Sequence, residues 1–229
     1  QWVLDALTAS KEVENIILIG VDQGSGLSSP KIRVYLPNQG HMVQNILAGL
    51  LTLIDLKPDT GHALIVSSDI PAITADMVDW VVREAMRTND DIYYNVIPRN
   101  VMETRFPNSR RSYTRLKDAE VCGGDMNVAR ASLAQSDAEI WDKLIESRKN
   151  VFKQASLIGF DTLLLLLLRQ ITIDKAVGKV ARKLKLSGRA IVCPYAEVGM
   201  DIDKPHQLEM MRADLAQRQG QQPESGGAA

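Results

Sequence analysis

The chain has little cysteine, no surplus of charge of either sign and no long apolar run, and each shortage narrows what it can be. Its two cysteines, Cys122 and Cys193, lie far apart in 229 residues and lack metal-ligand spacing, and the start of the chain has no signal-peptide pattern. Reduced thiols in the cytoplasm are the expectation. Lys and Arg total 27 against 28 Asp and Glu, so no nucleic-acid surface and no polybasic membrane patch is expected, and any phosphate binding must be local. The leucines at 163–168, closed by Arg169, fall far short of a membrane span and read as a buried helix of a soluble core. What is present is a 45% hydrophobic content and enough chain for one large α/β domain.

The most informative stretch is 63–74, ALIVSSDIPAIT. Ala63, Leu64, Ile65 and Val66 form an uninterrupted apolar run, as a strand buried on both faces requires, and it stops at Ser67, Ser68 and Asp69. In open α/β sheets, ligands bind at the carboxyl ends of strands, where a carboxylate can hold Mg²⁺ against phosphate oxygens. An Asp that merely caps the turn fits the local pattern as well. Pro71 stops the strand, and Thr74 is a good N-cap for a helix over 75–87.

In chain order, residues 2–9 have helical spacing and 16–21 form a continuous apolar strand. A Gly- and Ser-rich loop spans 22–30, and 31–36 is a short strand. A turn at 37–40 leads into a helix over 42–56. Gly40 would allow backbone to approach a flat ligand, and Gln39 and Asn45 offer donors and acceptors to a base edge; turn geometry alone also selects Asn38 and Gly40. A strand over 91–97 precedes an irregular polar segment, 98–112, carrying Arg99, Arg105, Arg110 and Arg111. A short strand over 113–116 follows, with Lys117 beyond it. These cations suit a phosphate or sugar-acid clamp, or simply a solvated loop. Paired glycines at Gly123 and Gly124 allow close backbone approach or positive φ, which leaves the adjoining Asp125 unexplained. Helices are expected over 138–147, 151–158, 161–169 and 174–183, capped by Asp137, Asp161 and Asp174. A strand over 189–193 is followed by Asp201 and Asp203, which share a face if the backbone is extended and so can address one ion. A final helix is expected over 206–215, and residues 217–229 read as a disordered tail.

Together, SSDIPAIT around Asp69, GGD at 123–125 and MDIDKPHQL at 200–208, supported by QGHMVQNILAGL at 39–50, resemble the MobA-like NTP transferase family. The resemblance covers most of residues 1–216. It implies a three-layer α/β/α sandwich around a mostly parallel mixed sheet, the Rossmann-like, glycosyltransferase-A type fold of nucleotide-diphospho-sugar transferases. It also implies transfer of an NMP group from an NTP to a phosphorylated or acidic small-molecule acceptor, with release of pyrophosphate and dependence on Mg²⁺. Carried over residue by residue, Asp69 and Asp203, with Asp201, would hold the metal. Ser68, Asp69, Gln39, Gly40 and Asn45 would lie at the nucleotide, and Gly123, Gly124 and Asp125 at the acceptor. Arg111 and Lys117 would neutralise the leaving pyrophosphate. The expected partners are an NTP and the acceptor, with no nucleic acid and no membrane, and the reading is compatible with a homodimer.

The resemblance has a gap. Members of the family open with a strand and a glycine-rich signature loop around the triphosphate, whereas this sequence starts within the helix that follows, at Gln1. The expectation is an N-terminally truncated record, because a missing central strand would leave its neighbours with unpaired backbone groups. Two other functions share the fold: a non-catalytic nucleotide- or sugar-binding regulatory domain, and a glycosyltransferase using a nucleotide sugar.

Overall fold

The computed structural model describes residues 1–136, 141 and 159–220. Its elements, in order, are α1 (Trp2–Ala9), β1 (Ile16–Ile19), β2 (Ile32–Leu36), α2 (Met42–Leu56), β3 (His62–Val66), α3 (Ala75–Ala85), β4 (Ile92–Pro98) and α4 (Arg99–Arg105). There follow β5 (Thr114–Arg115), β6 (Glu120–Gly123), β7 (Met126–Arg130), α5 (Phe160–Leu167), α6 (Ile173–Lys183), β8 (Gly188–Val192) and α7 (Pro205–Gly220). Short 3₁₀ turns occupy Gln23–Ser25, Ala131–Gln135 and Ala196–Gly199.

Strand pairing makes a mixed architecture. β1 and β2 form a parallel pair. In the larger sheet β8 runs parallel to β4, while β7 is antiparallel to both β3 and β4, and β6 is antiparallel to β4 and β5. Side chains alternate across β4 as a strand requires. Tyr93 and Ile97 enter one core with Val78 and Val81 of α3, Met102 of α4 and Met211 of α7, whereas Val96 enters a second core with Ile173 of α6 and Val121. Helices therefore cover both faces of the sheet, and α1 packs into the larger core through Leu4 and Leu7.

The sequence places most elements to within a few residues, and the departures have physical causes. Residues 99–105, expected to be irregular, form α4, entered through Pro98 with its fixed φ; Met102 and Phe106, four apart, are both buried. Helices α5 and α6 take Gly159 and Thr172 at their N-cap positions rather than Asp161 and Asp174. The leucine run is less buried than expected, with Leu164, Leu167 and Leu168 exposed. Helix α7 continues through Gly220, so residues 217–220 are not tail. Arg218 fastens that turn, donating to the Ala72 carbonyl at 2.8 Å and pairing with Glu197 and Asp214. The expected helices over 138–147 and 151–158, with Asp137, and residues 221–229 lie outside the described residues.

Both cysteines are free and buried. Among the described residues no helix is long and apolar enough to cross a membrane.

Candidate functional site

Three separate stretches meet at the carboxyl end of β3, and backbone hydrogen bonds hold them there. The Ser67 N–H donates to the Asp125 carbonyl at 2.9 Å, the Asp125 N–H to the Val198 carbonyl at 2.8 Å, and the Ile202 N–H to the Asp69 carbonyl at 3.1 Å. Asp125 reaches this position through a bulge. From Tyr93 to Val96 β4 advances three residues, while the opposing run steps back five, from Val128 to Gly123. Gly124 and Asp125 are the surplus, and such an insertion locally bends the strand and re-aims its side chains. Asn95 seals the bulge: its carbonyl accepts from the Gly124 N–H at 2.8 Å and its side-chain amide donates to the Met126 carbonyl at 2.6 Å.

Glycine is needed around the bulge for packing rather than for positive φ. A Cβ on Gly123 would collide with the Tyr94 hydroxyl, one on Gly124 would lie 3.0 Å from Asn95 Cβ, and one on Gly199 would lie 2.6 Å from Ile97 Cδ1. The Cβ sides of Gly123 and Gly124 are thus occupied by Tyr94, Asn95 and Ile97.

The result is a concentration of negative charge. One carboxylate oxygen from each of Asp69, Asp201 and Asp203 lies within 4.8 Å of the others. Asp69 also accepts a 2.6 Å hydrogen bond from the Ser67 hydroxyl, which fixes its orientation. The turn bearing Asp203 is pinned by Gln207, whose side-chain oxygen accepts from the Asp203 and Lys204 N–H groups while its amide donates to the Ser109 carbonyl. With Pro205 opening α7, this is the Gln half of a capping box, reaching back to the residue before the helix.

Arg111 enters from the loop between α4 and β5. Its Nη1 contacts Asp201 Oδ1, and its Nη2 lies 3.8 Å from Asp125 Oδ2. Among the described residues it is the cation ion-paired with these carboxylates. Asp125 is therefore poorly compensated: burial, opposed by Arg111 but reinforced by Asp69 and Asp203, raises its pKa to about 6, and its Oδ2 is buried without a hydrogen bond. Burial and Asp125 hold the Tyr94 phenol above its ordinary range. Burial also pushes the Cys122 thiol up despite Arg111. The donors suit a hard divalent cation, because Asp69, Asp201 and Asp203 offer oxygens alone, close enough to share one ion.

The structure brings Asp69, Asp125, Asp201, Asp203 and Arg111 together and leaves other candidates aside. The three remaining arginines of the polar segment do not join them. Arg99 pairs with Glu103 and Glu120, Arg105 with Glu197 and Asp214, and Arg110 is an exposed residue at φ 53°. Lys117 is exposed, its backbone N–H donating to the Ile171 carbonyl. Ser68 is exposed, and it is Ser67 that contacts Asp69. In the turn before α2, Asn45 Oδ1 accepts from the Gln39 N–H and Asn45 Nδ2 donates to Asn38, while the Gln39 amide donates to the Pro37 carbonyl. Those polar groups stabilise their own turn. Gly40, at φ 89°, has only Gln44 Oε1 within 4 Å of where a Cβ would stand, so its backbone is open to approach.

The residues missed in the sequence are Ser67, Gly199 and Gln207. A hydroxyl two residues before an Asp and a Gln two residues after a helix-opening Pro were readable signals. Gly199 had none, because its neighbours Ile97 and Gly123 are distant in sequence.

No protein-family model matches the chain, and comparison with curated proteins finds no match. Among solved structures, it resembles a protein from Thermus thermophilus described as a hypothetical transferase, with 29% identity, 90% of this chain and 84% of that one covered, and a TM-score of 0.78. It also resembles a CMP:2-keto-3-deoxy-manno-octonic acid synthetase complexed with CTP (12% identity, 95% and 87% covered, TM-score 0.55). A third is 4-diphosphocytidyl-2C-methyl-D-erythritol synthase from Anaerococcus prevotii (13% identity, 94% and 84% covered, TM-score 0.53). The chain thus has the α/β fold of the nucleotide-diphospho-sugar transferase-like proteins.

Proposed function

We propose that the chain is a Mg²⁺-dependent nucleotidyltransferase domain, moving an NMP group from an NTP to a phosphorylated or acidic small molecule and releasing pyrophosphate. The observation that carries the reading is the convergence of Asp69, Asp201 and Asp203 beside Arg111. Two of these fold neighbours are named for CTP or for a diphosphocytidyl product, which supports the choice of reaction.

In this reading an acceptor oxygen attacks the α-phosphorus, a new P–O bond forms, and the bond to the β-phosphate bridging oxygen breaks so that pyrophosphate leaves with the electron pair. Little covalent work is asked of the protein; alignment and charge neutralisation supply the acceleration. Asp69, Asp203 and Asp201 would hold the divalent ion, which when bound neutralises phosphate charge. Ser67 fixes the Asp69 carboxylate, Gln207 fixes the Asp203 turn, Arg111 faces the phosphates, and Asp125 faces the acceptor. Gly40 offers its backbone to the base.

The test is pyrophosphate release across a panel of NTPs and anionic acceptors, with Asp69→Asn as control. Loss of turnover by at least ~10³-fold, with the thermal unfolding curve retained, is the expected result. Retained turnover in that variant would refute the metal assignment. Turnover of a nucleotide sugar without pyrophosphate would identify a glycosyltransferase instead.

A further inference from the structure

We propose that Arg111 is a tethered counter-cation of the metal-free centre, which a divalent ion displaces from Asp201 and which then remains beside Asp125 to receive a phosphate group. This rests on the metal reading of the same carboxylates and assigns Arg111 a place in the order of binding.

The argument begins with charge. Asp69, Asp125, Asp201 and Asp203 are brought together by folding, and Arg111 alone among the described residues answers them with an ion pair. Its guanidinium is shared unequally: Nη1 is on Asp201 Oδ1, while Nη2 stands off Asp125 Oδ2 at 3.8 Å. The side chain is only 13% exposed, so water does little to screen it.

A divalent ion held by Asp69 and Asp203 draws on the third carboxylate, Asp201, whose Oδ1 already faces a guanidinium. One carboxylate does not serve both cations at full strength, and the two positive charges repel each other in a poorly screened site. The guanidinium has a second acceptor in reach. Asp125 Oδ2 is buried and receives no hydrogen bond. Arg111 Nε is likewise buried and without an acceptor, so the fork retains donor capacity for a phosphate oxygen, to which its planar geometry is matched.

Arg111 sits in a loop between α4 and β5, and the loop is held at Ser109, two residues away, by Gln207 and by the His206 ring, whose Nε2 is 3.2 Å from the Ser109 carbonyl. The anchor fixes the base of the loop while leaving the long side chain to move between two carboxylates.

The experiment measures Mn²⁺ binding by electron paramagnetic resonance, then binding of inorganic pyrophosphate to the Mn²⁺-loaded protein by calorimetry, for wild type, Arg111→Gln and Arg111→Lys. Arg111→Gln is expected to bind Mn²⁺ at least ~10-fold more tightly without pyrophosphate, and to bind pyrophosphate at least ~10-fold more weakly. Arg111→Lys, which keeps the charge and loses the fork, is expected to leave Mn²⁺ affinity near wild type and to recover pyrophosphate only in part. A misfolded variant would weaken both, so the opposite signs separate the mechanism from damage. Unchanged or weaker Mn²⁺ binding in Arg111→Gln overturns the inference and leaves the metal site standing; failure of the wild-type protein to bind Mn²⁺ overturns both.

Discussion

Asp125→Asn should make the metal-free protein more stable at pH 8 and leave it unchanged at acid pH. Burial raises the pKa of Asp125 from 3.8 to about 6, so between those values the folded chain holds a proton that the unfolded chain has released. Stability attributable to this group therefore falls as pH rises through that window and is flat above it. The interval corresponds to a ceiling of about 3 kcal/mol. The side chain is 31% exposed, and solvent screening reduces the expected effect to roughly 1–2 kcal/mol. Asn keeps the shape, carries no charge, and sacrifices no hydrogen bond at Oδ2, which receives none; Arg111 retains Asp201. For a chain of this size the gain is a rise in Tm of about 2–8 °C at pH 8. Thermal unfolding followed by circular dichroism at pH 4, 6 and 8, with chelator present, measures it. A variant that melts below wild type at pH 8, or whose difference from wild type is the same at every pH, would falsify the account of Asp125 as an uncompensated buried charge.

Three further substitutions probe what holds the site. Asp79, on α3 and 5% exposed, accepts hydrogen bonds from the Ser10 hydroxyl and the Lys11 and Glu12 N–H groups. Burial pushes its pKa up, but those bonds together outweigh burial and hold it below the ordinary value. Asp79→Ala should cost about 3 kcal/mol at neutral pH, a fall in Tm of about 6–12 °C, with the gap closing as pH drops through the lowered pKa; a loss under 2 °C on scanning calorimetry would contradict this. Gly199→Ala places a methyl against Ile97 and the Gly123 carbonyl and should destabilise by about 1–3 kcal/mol in urea titration; a neutral result would mean the glycines are not close-packed. Arg218→Ala leaves buried Glu197 with Arg105 alone and frees the Ala72 carbonyl, for an expected loss of about 1–2 kcal/mol. Equal stability of the two proteins would show that the end of α7 is not anchored.

What the sequence revealed and what it hid divide along a physical line. The extents of β3, α2 and α3 are local patterns, and the structure has them; what was not local came out differently, since β3 is half-buried and antiparallel to β7 rather than buried on both faces, and Thr74 takes the N-cap position of α3 without a side-chain hydrogen bond. Asp201 and Asp203 share an ion-sized space because an alternation of two is also local. Local pattern alone does not separate Arg111 from Arg99 and Arg105, and only the family resemblance pointed to it, since what distinguishes them is the carboxylate each meets after folding. The end of α7 reads as unanchored because QRQG has no apolar residue, yet a guanidinium holds it through tertiary contacts. Helix α4 was hidden by its own charge: Met102 and Phe106 are four apart, but Pro98 and the four arginines of 98–112 read as loop. Asn45 and Gln39 each make hydrogen bonds in and beside the turn before α2, contacts that their residue types alone do not reveal.

The stitching of Ser67, Asp125, Val198, Ile202 and Asp69 by main-chain contacts means that no fragment of the chain owns the acidic centre. A cation that lodges there recognises the finished fold and nothing earlier, so loading and folding form one equilibrium. At a hundredfold excess over its Kd such an ion adds about 2.7 kcal/mol to the native state. Chelation would then act as a mild denaturant, even for a molecule whose hydrophobic interior is untouched.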